Sequence, residues 1–241
     1  MKHAYEISIS MHHNDDLSVD TLLNELRLFS AKVAGLSNNL NDWLLGGNTK
    51  EEALLYKVFD DNTSSAAAKA VLETRLKGKS DPRCIVMWNG REGHAGASME
   101  FIGRPKNKIS LINFVGRPES FSSNWQLIVD TIKASVAIWH PTHITLESNG
   151  YYEHRTFKDR PGVGWMLYLP LALTAQQVPE ARALVPVMDK DMKGKIKQIG
   201  TIIVSVTDAP FSDENPDHVA IANAIEIRLV DQDLLPRYAD F

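Results

Sequence analysis

The sequence predicts an α+β fold in which amphipathic helices pack on a largely antiparallel sheet. Alternating apolar and polar residues near the start and centre of the chain are typical of strands with one buried face. Long segments with helical spacing of apolar residues lie among these strands, without the regular strand–helix alternation of a parallel sheet. At 241 residues, with 44% hydrophobic and 23% charged side chains, the chain can bury a substantial core. We expect residues 1–241 to form one domain.

The amino-terminal quarter begins with a strand and a helix. Residues 5–11 alternate between apolar and polar side chains, which predicts a half-buried strand. Apolar residues at helical spacing predict a helix over residues 19–33, with Ser18 as its N-cap and Gly35 just past its end. The region that follows is rich in Asn, Gly and Asp and predicts loops, interrupted by a short helix over residues 50–59.

The central part of the chain alternates between helix and strand patterns. An alanine-rich segment predicts a helix over residues 64–77 that stops at Gly78. The continuous apolar run at residues 84–88 is typical of a strand covered on both faces, so we expect it in the middle of the sheet. Alternation at residues 97–101 and again at 109–115, around a turn that contains Gly, Pro and Asn, predicts a hairpin.

The carboxy-terminal half adds two helices and further strands. Ser123 followed by Gln126 predicts a capping box for a helix that ends at Pro141. Asn215 as N-cap and Pro216 at the first helical position predict the last helix. The remaining predicted elements are strands at residues 143–147, 164–169 and 199–206, with a lysine-bearing loop at 190–197.

Catalytic motifs are sparse. His12, His13, Asp15 and Asp16 form the densest set of metal-ligand side chains, and a metal-dependent hydrolase built on them is our alternative hypothesis. Adjacent histidines at a strand end point in different directions, which favours a solvated turn instead. Cys84 lies in an apolar run and is expected to be a small core residue, not a nucleophile. With no nucleophile-elbow or phosphate-loop motif present, we expect no enzyme, cofactor or metal.

Charge points to a protein partner. The formal net charge of −4 argues against a dedicated nucleic-acid binder, and residues 205–241 hold eight acidic side chains against two basic ones. Carboxylates at the start of the last helix are explained by the helix dipole alone, or they belong to an acidic surface that holds a basic partner. The acidic candidates for partner binding are Asp15, Asp16, Asp60, Asp61, Asp213, Glu214 and Asp217. A peptide added to an exposed sheet edge is a third possibility.

The chain is expected to work in the cytoplasm. Cys84 is its only cysteine, so no disulfide forms within one chain, which fits a reducing compartment. The polar residues Glu6, Ser8 and Ser10 interrupt the apolar run that a secretory signal would carry. Charged residues also interrupt every candidate for a membrane-spanning segment of about 20 apolar residues.

Several ordered segments resemble the immunity protein 52 family of bacterial polymorphic-toxin systems. The resemblance covers the chain from the first strand to near residue 235, although the amino-terminal third matches only in its strand-then-helix outline. At Gly162 the chain departs from family members, which often carry a polar or acidic residue there. The matching segments are Trp88-Asn89-Gly90, residues 161–169, residues 200–204, Phe211, residues 215–220 and Leu234-Leu235.

The resemblance implies a non-enzymatic antitoxin that binds and neutralises a secreted toxin, typically a nuclease with a restriction-endonuclease-like fold. An acidic surface is compatible with this, because a nuclease active site is lined with Lys and Arg that receive phosphate. Trp88 and Trp165 are candidates for interface anchors, but both follow apolar strand patterns and are expected to serve packing first.

Overall fold

A computed structural model describes residues 4–13, 18–61, 63–78, 83–105, 107–191 and 193–241. Its strands are β1 (Tyr5–His12), β2 (Leu44–Leu45), β3 (Phe59–Asp60), β4 (Thr63–Ser64), β5 (Arg83–Trp88), β6 (Ala97–Gly103), β7 (Ile109–Gly116), β8 (His143–Ser148), β9 (Met166–Leu169), β10 (Ala183–Lys190) and β11 (Ile196–Val204). Nine of these strands form one sheet in the order β10-β11-β9-β8-β1-β7-β6-β5-β2, and β3 pairs with β4 separately. Every neighbouring pair is antiparallel, which confirms the predicted fold class.

In the described part of the chain, five α-helices accompany the sheet: α1 (Val19–Val33), α2 (Ala66–Leu76), α3 (Trp125–Trp139), α4 (Tyr151–His154) and α5 (Pro216–Asp231). Four of them begin at a side chain that accepts a hydrogen bond from the first turn, namely Ser18, Ser65, Asn124 and Asn215. Such caps satisfy backbone N–H groups that the helix itself leaves without an acceptor. Among the described residues, no helix has the length and apolarity that crossing a membrane requires.

One face of the sheet carries the main hydrophobic core. Ile7 and Ile9 of β1 point to this face and are fully buried, as is Phe114 of β7, which lies opposite Ile7. Helices α1 and α3 cover it: the Phe29 ring of α1 lies 6.2 Å from the Phe114 ring and 5.3 Å from the Trp139 ring of α3. The alternation seen in the sequence therefore separates a face under helices from a second face that these helices leave uncovered.

Two local predictions about helices were wrong. Residues 50–59 form only a single 3₁₀ turn at Glu52–Leu54, because the flanking residues are drawn into pairing with neighbouring segments. Gly35 lies just past the end of α1 as predicted, within a 3₁₀ turn at Ala34–Leu36 into which the helix tightens. Helix α3 is capped by Asn124, whose Oδ1 accepts from the Gln126 amide at 3.0 Å, and not by Ser123.

Two predictions about strands also needed correction. The apolar run of β5 is not covered on both faces: Cys84 is exposed and Val86 is 44% exposed, while Ile85 and Met87 are buried. β5 lies next to the two-residue edge strand β2, so only one of its faces meets the core. The predicted loop at 190–197 is the tip of a hairpin that joins β11 to the unpredicted edge strand β10.

Candidate partner-binding surface

The second face of the sheet is open across four neighbouring strands. On β5, β6, β7 and β1, every second side chain points to this face and is half-buried or exposed, except Ser10, which is buried. We call it the open face; its residues are Cys84, Val86 and Trp88 of β5, Ser98, Glu100 and Ile102 of β6, Leu111, Asn113 and Val115 of β7, and Glu6, Ser8 and Ser10 of β1.

The open face mixes aliphatic and polar side chains across adjacent strands. Val86, Glu100, Asn113 and Ser8 form its middle row in register, and the Ser8 hydroxyl donates to Asn113 Oδ1 at 2.9 Å. A sheet face that only met water would carry polar side chains throughout. Aliphatic side chains left in solvent beside polar ones are typical of a surface that another protein covers.

A groove of about 500 Å³ lies beside the open face, along β1 and β8. Ser8 and Ser10 of β1 and Thr145 of β8 form part of its floor. Tyr152 of α4 and Tyr238 near the carboxy terminus stand at its rim, 49% and 45% exposed. The groove is thus made by residues from both ends and the middle of the chain.

One end of the groove is built around a buried ion pair. The Arg155 guanidinium donates through Nη2 to Glu147 Oε2, and both side chains are about nine-tenths buried, at 11% and 10% exposure. Gly162 packs against this pair so closely that a Cβ at that position would overlap Glu147 Oε1 and Arg155 Nε. A glycine at this position therefore allows the ion pair to form under the buried loop.

The charges at this end are not balanced by the single guanidinium. Burial raises the pKa of Glu147 despite the favourable charge of Arg155, and Glu226 and Glu6 raise it further. Burial also raises the pKa of Glu6, which Arg155 opposes and Glu100 reinforces. For Arg155 burial lowers the pKa, but the Glu147 carboxylate and the Tyr238 hydroxyl together outweigh it, and the pKa of the guanidinium is raised. Several carboxylates thus share one cation.

The middle and far end of the groove have a different character. His143 of β8 is buried, and its ring lies 4.8 Å from the ring of Phe241. Burial, followed by the charge of Arg155, lowers the pKa of His143 to about 4, so the imidazole is neutral at pH 7. Exposed Arg104 lines the far end, so the groove changes from acidic to basic along β1.

Glu226 of α5 holds the wall that carries Arg155 and Gly162. Its carboxylate is fully buried; Oε1 lies 2.8 Å from the Tyr151 hydroxyl and accepts from the Val163 amide at 3.1 Å, and Oε2 accepts from the Thr156 amide at 2.9 Å. Burial, with the neighbouring Glu226 charge, raises the pKa of Tyr151, so its hydroxyl stays protonated as a donor. The segment from Tyr151 to Val163 is therefore fastened to α5 at three points.

The acidic residues predicted from the sequence lie in separate places. Asp60 and Asp61 are exposed on the β3–β4 hairpin, and β4 contacts α1. Asp213 is buried against Gly150, whereas Glu214 and Asp217 are exposed at the start of α5. Asp15 and Asp16 lie outside the described residues. Among the described members of the predicted set, two exposed pairs therefore remain, Asp60 with Asp61 on the hairpin and Glu214 with Asp217 at the start of α5.

The histidines of the predicted metal cluster point in different directions. His12 is exposed at the end of β1, whereas the His13 Nε2 atom lies 3.5 Å from Glu25 Oε2 and its ring stands edge-on, 5.7 Å from Phe101. Asp15 and Asp16, the other two members, are outside the described residues. Within the described part of the chain, no group of three or more His, Cys, Asp or Glu side chains has a metal-binding arrangement.

The tryptophan segments that carry the family resemblance serve packing and loop closure. Trp165 is fully buried, and its Nε1 donates to the Val206 carbonyl at 2.9 Å; the half-buried Trp88 donates to the Ala53 carbonyl at the same distance. The Asn89 side chain makes four hydrogen bonds to the backbone, including 2.9 Å from the Ala97 amide. These contacts fix the connection between β5 and β6 at one edge of the open face.

Glu6, Glu147 and Arg155 were missed by the sequence analysis. Glu6 and Glu147 occupy positions that alternate with buried aliphatic residues, which marks them as facing away from the core. Nothing in the sequence indicates that β1 pairs with β8 and brings the two carboxylates opposite one another. That pairing was the missing information.

Comparisons with known proteins are consistent in fold. A family model described as immunity protein 52 matches residues 17–237. No curated protein sequence matches significantly. Among solved structures, a chain described as a Pseudomonas aeruginosa T6SS protein matches with a TM-score of 0.52 and 10% identity, over 93% of this chain and 76% of that chain. At this identity the structural likeness is a likeness of fold.

Proposed function

The chain belongs to the immunity protein 52 family, and we propose that it binds and neutralises a cognate secreted toxin, protecting the cell that makes it. The protein acts by occupying a surface of the toxin and performs no catalysis of its own. The shared fold with a T6SS protein is compatible with a toxin delivered by that kind of system.

The observation that carries this proposal is the open face. Helices α1 and α3 cover one side of the sheet, yet aliphatic side chains such as Val86, Ile102 and Leu111 remain exposed or half-buried on the other. Burial of such groups against a partner is favourable by about 25 cal/mol per Å² of apolar surface. A folded toxin supplies a surface large enough to cover them.

The size of the face fits a protein partner. Strands lie about 4.8 Å apart and rise about 3.3 Å per residue, so four strands and the adjoining groove span about 20 Å by 20 Å. This projected area of about 400 Å² is half of what one partner contributes to a standard interface. The rim must supply the rest, and Tyr152 and Tyr238 are exposed aromatic residues of the kind that act as interface anchors.

We further propose that the toxin is a nuclease and that the complex forms in the cytoplasm. The net charge of −4 and the acidic end of the groove suit a partner whose active site is rich in Lys and Arg. The exposed thiol of Cys84 suits a reducing compartment. Glu214 and Asp217 form a second acidic site, and contact through these two residues is an alternative way of holding the same toxin.

The test is capture of the toxin followed by surface substitution. Tagged protein from its native cells is expected to retain a toxin in a stoichiometric complex and to protect a strain that expresses that toxin. Val86→Arg on the open face should weaken binding at least about 100-fold, because a long charged side chain would have to be accommodated and desolvated at the interface. The matched control is Leu28→Arg on α1, an aliphatic residue of similar exposure, 41% against 44% for Val86, on the opposite side of the sheet.

Substitution of Glu214 and Asp217 by Lys tests the second acidic site in the same assay. Asp213 is left unchanged, because its reversal would place a lysine against Gly150 and damage the fold. Loss of toxin binding in this variant, with Val86→Arg still protective, would move the interface to the start of α5. Recovery of no toxin at all, with no protection, would refute the antitoxin function itself.

A further inference from the structure

The acidic end of the groove contains an unusual pair of carboxylates. Glu6 of β1 and Glu147 of β8 lie directly opposite one another in the antiparallel register. Like charges in this arrangement destabilise a sheet, because the two Cβ atoms are only about 5 Å apart. Arg155 bonds to Glu147, whereas Glu6 makes no hydrogen bond or ion pair with the described residues. The sheet thus contains a pair of like charges in which only Glu147 is bonded to a cation.

A second observation concerns the buried member of this pair. Glu147 lines the groove and is 8% exposed, and its Oε1 atom has no hydrogen-bond donor in the described part of the chain. A buried carboxylate oxygen without a donor is costly, and buried polar atoms are nearly always satisfied in folded proteins. The Glu147 Oε1 atom packs against Gly162, so Glu147 contributes negative charge at this end of the groove, and Glu6 is the carboxylate with capacity for a further donor.

The chemistry of this end of the groove matches a guanidinium group. Arginine offers several N–H donors in a planar fork, pairs well with carboxylates and stacks on aromatic rings. Tyr238 provides such a ring at the rim, and the Tyr152 ring already holds two cations, the Arg155 guanidinium at 5.1 Å and Lys158 Nζ at 4.4 Å from its centre. The groove volume of about 500 Å³ is ample for a long side chain.

We infer that the acidic end of the groove receives a basic side chain of the toxin, arginine by preference, which pairs with Glu6 beside the buried Glu147–Arg155 ion pair. This inference rests on the proposed antitoxin function. In the empty groove, burial raises the pKa of both carboxyl groups, so their charged forms are disfavoured. A cation bound in the groove favours the charged forms again. Binding of the toxin side chain therefore removes an unfavourable interaction that the folded protein has on its own.

The direct test compares two neutral replacements on opposite sides of the sheet. Glu6→Gln should weaken the affinity for the captured toxin at least about 10-fold, because it removes a desolvated charge partner. Asp130→Asn, which removes the same charge from an exposed position of α3 on the helix-covered side of the sheet, should change the affinity by less than about 2-fold. Thermal unfolding separates binding from folding: Glu6→Gln should raise Tm by up to about 4 °C, since it removes the cross-strand repulsion. Equal affinities of wild type and Glu6→Gln would overturn the inference.

A second experiment examines the groove without the toxin. L-arginine amide should shift the carboxyl NMR signals of Glu6 and Glu147 in the isolated protein, citrulline amide should not, and Glu6→Gln should lose the response. The absence of any arginine-specific shift would also overturn the inference. If no toxin is captured but this response is present, the proposed function fails while the basic-side-chain site stands, so the two ideas are judged separately.

Discussion

Removal of the Glu226 carboxylate should loosen the wall of the groove and destabilise the protein. The amide of the fully buried Val163 would lose its acceptor, whereas the Tyr151 hydroxyl keeps Asn223 Oδ1 at 3.0 Å and the Thr156 amide belongs to an exposed residue. The buried amide left without an acceptor costs about 1–3 kcal/mol, and each of the other two lost hydrogen bonds costs about 1 kcal/mol. We therefore expect Glu226→Ala to lower the free energy of unfolding by about 4 kcal/mol, which for a chain of this size lowers Tm by about 8–16 °C.

The conservative replacement and a neighbouring ion pair make this prediction specific. Glu226→Gln keeps one acceptor oxygen and should cost about 2 kcal/mol. Arg228 lies on the same helix and binds Glu180 at 2.6 Å, but its side chain is 45% exposed, so Arg228→Ala should cost less than about 1 kcal/mol. Urea unfolding followed by tryptophan fluorescence measures all three. A loss below about 1 kcal/mol for Glu226→Ala would refute the role of Glu226 as the fastening point.

Two further predictions concern the groove itself. Gly162→Ala should displace the bonded Glu147–Arg155 pair and lower the free energy of unfolding by about 1–3 kcal/mol, the usual penalty of overpacking. Denaturant midpoints measure this change. A neutral effect would show that the ion pair shifts without cost. Because the pKa of His143 falls to about 4 in the folded state, its contribution to stability is present above about pH 6.5 and is lost as the pH falls towards 4. Wild type should therefore lose about 3 kcal/mol more than His143→Gln between pH 7 and pH 4 in denaturant titrations, and parallel pH curves for the two proteins would contradict the assignment.

The helices were predictable because their signals are local. Ser18 and Asn215 cap the helices that the apolar spacing predicted, and both helices begin where expected. The failures came where distant contacts decide the conformation. Residues 50–59 have local helical propensity, but Lys57 pairs with Leu44 in an antiparallel β-bridge. This pairing leaves room for only one 3₁₀ turn. The edge strand β10 was missed because its side chains are mostly half-buried or exposed and it contains Pro186.

The open face and the groove were harder to predict than the fold. The apolar run of β5 was interpreted as buried on both sides, since hydrophobicity alone cannot show which face a neighbour covers. The acidic candidates were chosen because acidic residues are dense in those stretches of the sequence. In the structure Asp213 is buried, and Asp60 lies on β3, a different element from α5. The groove depends on the β1–β8 register, which only the three-dimensional structure provides.

In this fold, stability and binding are provided by opposite faces of the sheet. Stability comes from the helix-covered face, where residues such as Phe114 are fully buried, and from fastening points such as Glu226. The uncovered side keeps features that lower stability, namely exposed Val86 and the opposed pair of Glu6 and Glu147. A sheet shaped by stability alone would replace them at little cost, since neutral polar residues fit both kinds of position. Their presence together, on one continuous surface, is therefore best explained by a partner that buries the aliphatic side chains and neutralises the carboxylates in the same contact.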